Sequence, residues 1–198
     1  PEIIEKAKQE PVDVFEDAGS IGSQIHGFAD KYFQQLIESG VKPKSALDFI
    51  PDTENDIRSV SAMRALERFV EEYNYVPVAS EIRVYSERLG LAGTLDDVGL
   101  VGGEMGDLIL LDLKTSNYIT KISFAYQVAI YYKMFKDLTE LKPKECFILR
   151  LSKVDGTYEL KNLKQMYKLG NFAKHLLKVN EGNQFVQEMF KRPCLILK

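Results

Sequence analysis

A glycine-rich break between two apolar runs constrains this chain more than any other feature. Leu91-Ala92-Gly93-Thr94-Leu95-Asp96-Asp97-Val98 precedes it, and Leu108 to Thr115 follow it. Between them lies Gly102-Gly103-Glu104-Met105-Gly106, a strong turn signal. Two apolar runs joined by such a turn predict a hairpin, at about 91–100 and 107–115. Asp96 and Asp112 are each eight positions from Glu104, so a symmetric hairpin sets the two carboxylates opposite each other. Asp112 and Lys114 are two apart and share one side of a strand.

Two acids and one amine then converge on one patch. Like charges opposite each other destabilise paired strands. The neighbours of Asp112 are Leu108 to Leu111 and Leu113, which read as a strand buried on both faces. Burying unpaired carboxylates is costly. A divalent cation resolves the conflict, and hard oxygen ligands suit Mg²⁺ or Mn²⁺. A buried Asp–Lys salt bridge, with the second Asp solvated at a strand end, resolves it too. Spacing leaves both readings open. Alternation puts Asp97 on the opposite face, in a structural or surface role.

The remaining pattern predicts an α/β domain. A helix is expected over 11–39, with Phe15, Ile21, Ile25, Phe28, Ala29, Tyr32 and Leu36 at near-helical spacing and Gly40 as the stop. Residues 41–55 read as a loop, 56–74 as a helix, and 78–86 as a strand opened by Pro77. Residues 119–137 form a helix that is apolar nearly all round, as helices buried against a sheet are. Strand 146–151 follows it directly, which suggests a parallel crossover. Asp155-Gly156 turns into a short strand at 157–160. Residues 162–179 read as a terminal helix and 183–192 as another. The chain is read as one domain over 1–198: a helical part (1–75), a sheet core (76–160) and C-terminal helices (161–198).

Composition removes several function classes. Of 198 residues, 45% are hydrophobic and 28% charged, and the formal net charge is −3, so bulk charge does not argue for a nucleic-acid partner. Any phosphate-binding surface must be local. Lys161, Lys164, Lys168, Lys174 and Lys178, with Tyr167 and Phe172 interleaved, offer one such surface, although a solvated helix face is the commoner explanation of such a run. The two cysteines, Cys146 and Cys194, cannot make a four-cysteine zinc or iron–sulfur site. They give no disulfide framework, which favours a reducing, cytoplasmic setting. No apolar run approaches the roughly 18 residues of a membrane span, so no membrane partner is expected. The chain opens on Pro1 rather than Met, which leaves room for a preceding segment.

Five pieces in order resemble the PD-(D/E)XK nuclease superfamily. Within it, they resemble the exonuclease branch that includes the RecB and AddB nuclease domains, Cas4 proteins and mitochondrial genome maintenance exonucleases. They are Gly22-x-x-x-His26, Glu81 in Ala79-Ser80-Glu81-Ile82-Arg83-Val84, Gly93-x-x-Asp96, Asp112-Leu113-Lys114-Thr115, and Gln127-x-x-x-Tyr131. The resemblance spans about residues 18–151. It implies a restriction-endonuclease-like α/β core, with a mixed central sheet flanked by helices. It also implies one or two Mg²⁺ or Mn²⁺ ions and hydrolysis of DNA phosphodiesters, most simply from single-stranded ends.

On that resemblance His26, Glu81, Asp96 and Asp112 hold metal, and Asp96, Asp112 and Lys114 are catalytic. Gln127 and Tyr131 support the site or contact the strand, and Thr115 and Ser116 donate to phosphate or cap the next helix. Cas4 and AddB proteins carry cysteines for an iron–sulfur cluster that this chain lacks, which places it nearer the cluster-free members. A structure-specific or restriction-like endonuclease, and a non-catalytic nucleic-acid-binding module, are the alternatives. Polarity and oligomeric state are not encoded legibly.

Overall fold

The fold is a five-stranded mixed sheet flanked by three helices, seen in a computed structural model that describes residues 2–54, 56–87, 90–119 and 122–163. In chain order these are α1 (Glu2–Ser39), α2 (Ile57–Glu72), β1 (Val76–Ser86), β2 (Leu91–Val101), β3 (Asp107–Lys114), α3 (Ile122–Thr139), β4 (Glu145–Leu151) and β5 (Tyr158–Asn162). Two short 3₁₀ turns, Ala46–Phe49 and Asp52–Glu54, occupy the segment expected to be a loop.

Spatial strand order follows sequence order, β1 to β5. β1, β2 and β3 pair antiparallel, β3 and β4 pair parallel across α3, and β5 returns antiparallel on β4. The hairpin register pairs Asp97 with Leu111 and Val98 with Leu110, which is the register of a hairpin centred on Glu104. Its turn is made by Gly102 and Gly103, whose φ values of +95° and +87° are disfavoured for side-chain-bearing residues. Their N–H groups donate to the carbonyls of Tyr73 and Asn74, which ties the turn to the end of α2.

Alternation along β3 splits the core between two layers. Ile109, Leu111 and Leu113 pack with Ile25, Phe28, Tyr32 and Phe33 of α1 and with Met63, Leu66 and Phe69 of α2. Leu110 faces the other way, with Ile148, Val128, Tyr131 and Met134. All of Ile109 to Lys114 is buried, as the apolar run predicts for a strand covered on both faces. Asp56 caps α2, accepting from the Arg58 N–H at 2.7 Å. Gly40 closes α1 by donating to the Leu36 carbonyl.

Several boundaries move. α1 continues back through Pro11 to Glu2, although a proline inside a helix removes one hydrogen bond. β1 begins at Val76 and contains Pro77; it is an edge strand with a register shift between Pro77 and Ala79, where a missing N–H is tolerated. α3 begins at Ile122, three residues later than expected. β5 extends to Asn162, so Lys161 belongs to a strand rather than to the predicted basic helix. Lys164, Lys168, Lys174, Lys178 and the two expected C-terminal helices lie outside the described residues.

Candidate metal-dependent active site

The site forms where β2 and β3 stop pairing. The ladder ends at Asp97 and Leu111, so the next pair, Asp96 and Asp112, stands at its mouth. Asp96 does not extend the ladder; its Oδ2 accepts the Leu113 N–H at 2.7 Å. The side chain thus occupies the place of a strand partner and is fixed against β3. On the other side of β2, Ser80 pairs with Asp97 and Ile82 with Leu95, which leaves Glu81 beside Asp96. Three adjacent strands therefore present Glu81, Asp96 and Asp112 in one row.

Glu81 breaks its strand locally. Its φ is +48°, left-handed and strained for a residue with a Cβ. Such strain costs on the order of 1–3 kcal/mol and persists only when the surroundings enforce it. Strained residues of this kind concentrate at functional sites.

His26 arrives from α1. Its Nδ1 lies 3.5 Å from Asp96 Oδ1. One turn earlier Gly22 faces the end of β3, and a Cβ there would sit 3.0 Å from Thr115 Oγ1. The space left by Gly22 therefore goes to the strand end, which allows α1 to approach closely enough for His26 to reach Asp96. One ligand atom each from His26, Glu81 and Asp96 lies within 4.8 Å of the others. An imidazole nitrogen and two carboxylates at this separation form a donor set suited to Mn²⁺ or Mg²⁺.

Asp112 and Lys114 form the second half. Lys114 Nζ is 2.5 Å from Asp112 Oδ2, with both side chains almost fully buried. Lys114 Nζ also stands 5.2 Å from the centre of the Phe124 ring, so α3 supplies a face for the ammonium. The Asp112–Lys114 pair of the salt-bridge reading forms, but Asp96 is buried beside His26 rather than solvated at a strand end.

Electrostatics separate the two core acids. Burial pushes Asp112 up to about 6, and the Asp96 charge adds to the push against the pull of Lys114. Burial also disfavours ionised Asp96, but His26, Lys114 and the Leu113 N–H outweigh it and hold Asp96 at about 2. Asp96 is thus the more acidic of the two, and Asp112, paired with Lys114, lies outside the His26, Glu81 and Asp96 cluster.

The other predicted residues are placed as follows. Gln127 Nε2 donates to the Tyr131 hydroxyl at 3.2 Å. Tyr131 is buried, and its ring lies over Gly93: a Cβ there would be 2.7 Å from Tyr131 Cε1. The Gln–Tyr pair therefore docks α3 onto β2 three residues before Asp96. Ser116 Oγ donates to the Tyr118 carbonyl at 3.0 Å, and α3 starts six residues beyond Ser116, so its hydroxyl is spent inside the loop and not on the helix end. Asp97 is fully buried, which removes the surface role allowed for it. It accepts from the Tyr75 hydroxyl, whose ring packs against Gly99, and burial raises its pKa well above the usual carboxylate range. Tyr75, Phe124 and Gly93 are supports that motif spacing did not single out as such. Their signal, an aromatic facing a glycine or a lysine across elements, exists only in three dimensions.

No family model matches the chain, and no curated protein matches it. One similar solved structure, described as the crystal structure of SSO0001, is 12% identical. The alignment covers 78% of this chain and 87% of that one, with a TM-score of 0.31, too low to carry an argument. Among the described residues no helix is long and apolar enough to cross a membrane.

Proposed function

We propose that this protein is a metal-dependent DNA exonuclease that hydrolyses phosphodiester bonds at single-stranded ends. The observation that carries the reading is the row Glu81, Asp96 and Asp112 at the splayed end of β2 and β3, with His26 and Lys114 brought against it. Asp96 and Asp112 are buried and Glu81 stands exposed beside them; at the two buried positions apolar residues of similar size would pack without the desolvation cost. The cluster fits a site built to hold a cation.

In this reading His26, Glu81 and Asp96 hold a divalent ion, and Asp112 joins them. Such an ion polarises the phosphate and makes water a better nucleophile. Lys114, paired with Asp112 at 2.5 Å, would orient the attacking water and offset charge on the phosphoryl oxygens. Phe124 keeps its ammonium in place. The Leu113 N–H holds Asp96 against β3. Tyr131 and Gln127 fix α3 over the strand that carries Asp96. Thr115, at the mouth beside Gly22, has a hydroxyl available to a phosphate oxygen.

The test is cleavage of end-labelled DNA, linear and circular, single- and double-stranded, in Mg²⁺, Mn²⁺ or EDTA. Metal-dependent shortening of linear single strands, lost in Lys114→Ala and absent on circles, is expected. Cutting of circles would replace this reading with an endonuclease. DNA binding without any cleavage would replace it with a binding module.

A further inference from the structure

The loop between β3 and α3 holds a side chain that the site described above does not use. Tyr118 is 73% exposed. Asn117 before it is exposed too, whereas Lys114 at the strand end is 8% exposed and Ile119 5%. The loop is thus anchored at both ends within five residues. Ile119 is buried in the layer under α3, and its carbonyl accepts from Lys161 Nζ at 3.5 Å. Inside the loop the Ser116 hydroxyl holds the Tyr118 carbonyl. The backbone at Tyr118 is therefore fixed while its ring stands in solvent.

Among the described residues Tyr118 is the most exposed tyrosine, ahead of Tyr85 on β1 at 52%. Tyr32, Tyr75 and Tyr131 are buried in the core, and Tyr73 packs against Phe69 and Tyr158. Tyr118 is four residues beyond Lys114, and four residues of chain span at most roughly 14 Å, so the loop that carries the ring adjoins the strand end of the site.

We propose that Tyr118 is a stacking platform for an unpaired base of the strand held in the site. The inference rests on the nuclease reading and names what selects its substrate. Every base has a π-face, so a tyrosine platform is tolerant of sequence. Bases inside a duplex already stack on their neighbours and gain nothing from it. A platform on the loop next to the site therefore favours single-stranded over double-stranded DNA without any base-specific hydrogen bond.

The chain contains no tryptophan, so Tyr118→Trp places a single reporter at the platform. We would titrate that variant in Ca²⁺ with an oligothymidine, the same oligomer carrying abasic residues, and a blunt hairpin. The control is Val154→Trp, at an exposed turn between β4 and β5. Quenching by the oligothymidine only, absent with the abasic oligomer and in the control, is expected. Tyr118→Ala should weaken single-strand affinity about 5- to 100-fold, leave hairpin affinity unchanged, and be rescued by Tyr118→Phe.

No quenching, with unaltered affinity in Tyr118→Ala, overturns the proposal even if the wild type degrades DNA. Quenching by a wild-type-like protein that cuts nothing in Mg²⁺ or Mn²⁺ sinks the nuclease reading and leaves the platform standing.

Discussion

The ring of Tyr131 lies across Gly93, in space a Cβ would need. Gly93 and Tyr131 belong to different sequence motifs, 38 residues apart, yet they are one joint: it fixes α3 against β2 just ahead of Asp96. Gly93→Ala should destabilise the protein by about 1–3 kcal/mol through overpacking. Tyr131→Ala should cost about 3–5 kcal/mol by leaving a cavity. The double variant should cost less than the two together by about 0.5–3 kcal/mol, because the cavity accepts the new methyl. Urea unfolding measures all three, and simple additivity would refute the joint.

Asp112 makes the metal-free protein pH-sensitive. Its folded value, about 6, lies above the ordinary 3.8. Below 3.8 it is protonated folded and unfolded, and costs nothing. Between 3.8 and 6 only the folded protein keeps the proton, so its contribution to stability falls as pH rises. Above 6 the full cost, about 3 kcal/mol, remains. Asp112→Asn should therefore stabilise the protein in EDTA at pH 8 and have little effect at pH 4. A gain that is the same at both values would contradict this account.

Cation binding should reverse that order. Mn²⁺ should raise the melting temperature of the wild type, by about 2.7 kcal/mol of stability at a concentration 100 times Kd. His26→Ala, Asp96→Asn and Asp112→Asn should each lose most of the increment. With an imidazole in the donor set, Mn²⁺ should act at lower concentration than Mg²⁺. Thermal denaturation with each ion decides it; an equal response in His26→Ala removes the histidine from the site.

Phe124 should matter through Lys114. The ring faces the ammonium at 5.2 Å, a contact worth about 0.5–2 kcal/mol. Phe124→Leu keeps an apolar side chain there but loses the π-face. It should lower kcat roughly 2- to 30-fold with KM little changed. A change confined to KM would place Phe124 on the substrate instead.

Local pattern was enough for the hairpin, its register and the acid pair it opposes. Two apolar runs around Gly102 and Gly103 have one symmetric way to close, and period-2 alternation then fixes which side each residue takes. The buried helix between β3 and β4 dictates their parallel pairing for similar reasons. Asp112 beside Lys114 follows from spacing alone.

What the sequence left open needed packing. Whether Asp97 faced water or core depended on Tyr75, which arrives from the start of the edge strand and covers it. The approach of His26 to Asp96 depends on α1 lying close against the end of β3, a distance set by a missing Cβ at Gly22. Glu81 joins the same cluster with its backbone in the left-handed region, which no propensity for glutamate predicts. Short-range periodicity specifies which residues share a face. The meeting of faces from α1, β1, β2 and β3 is decided by side-chain volume between elements, and that is a property of the folded core.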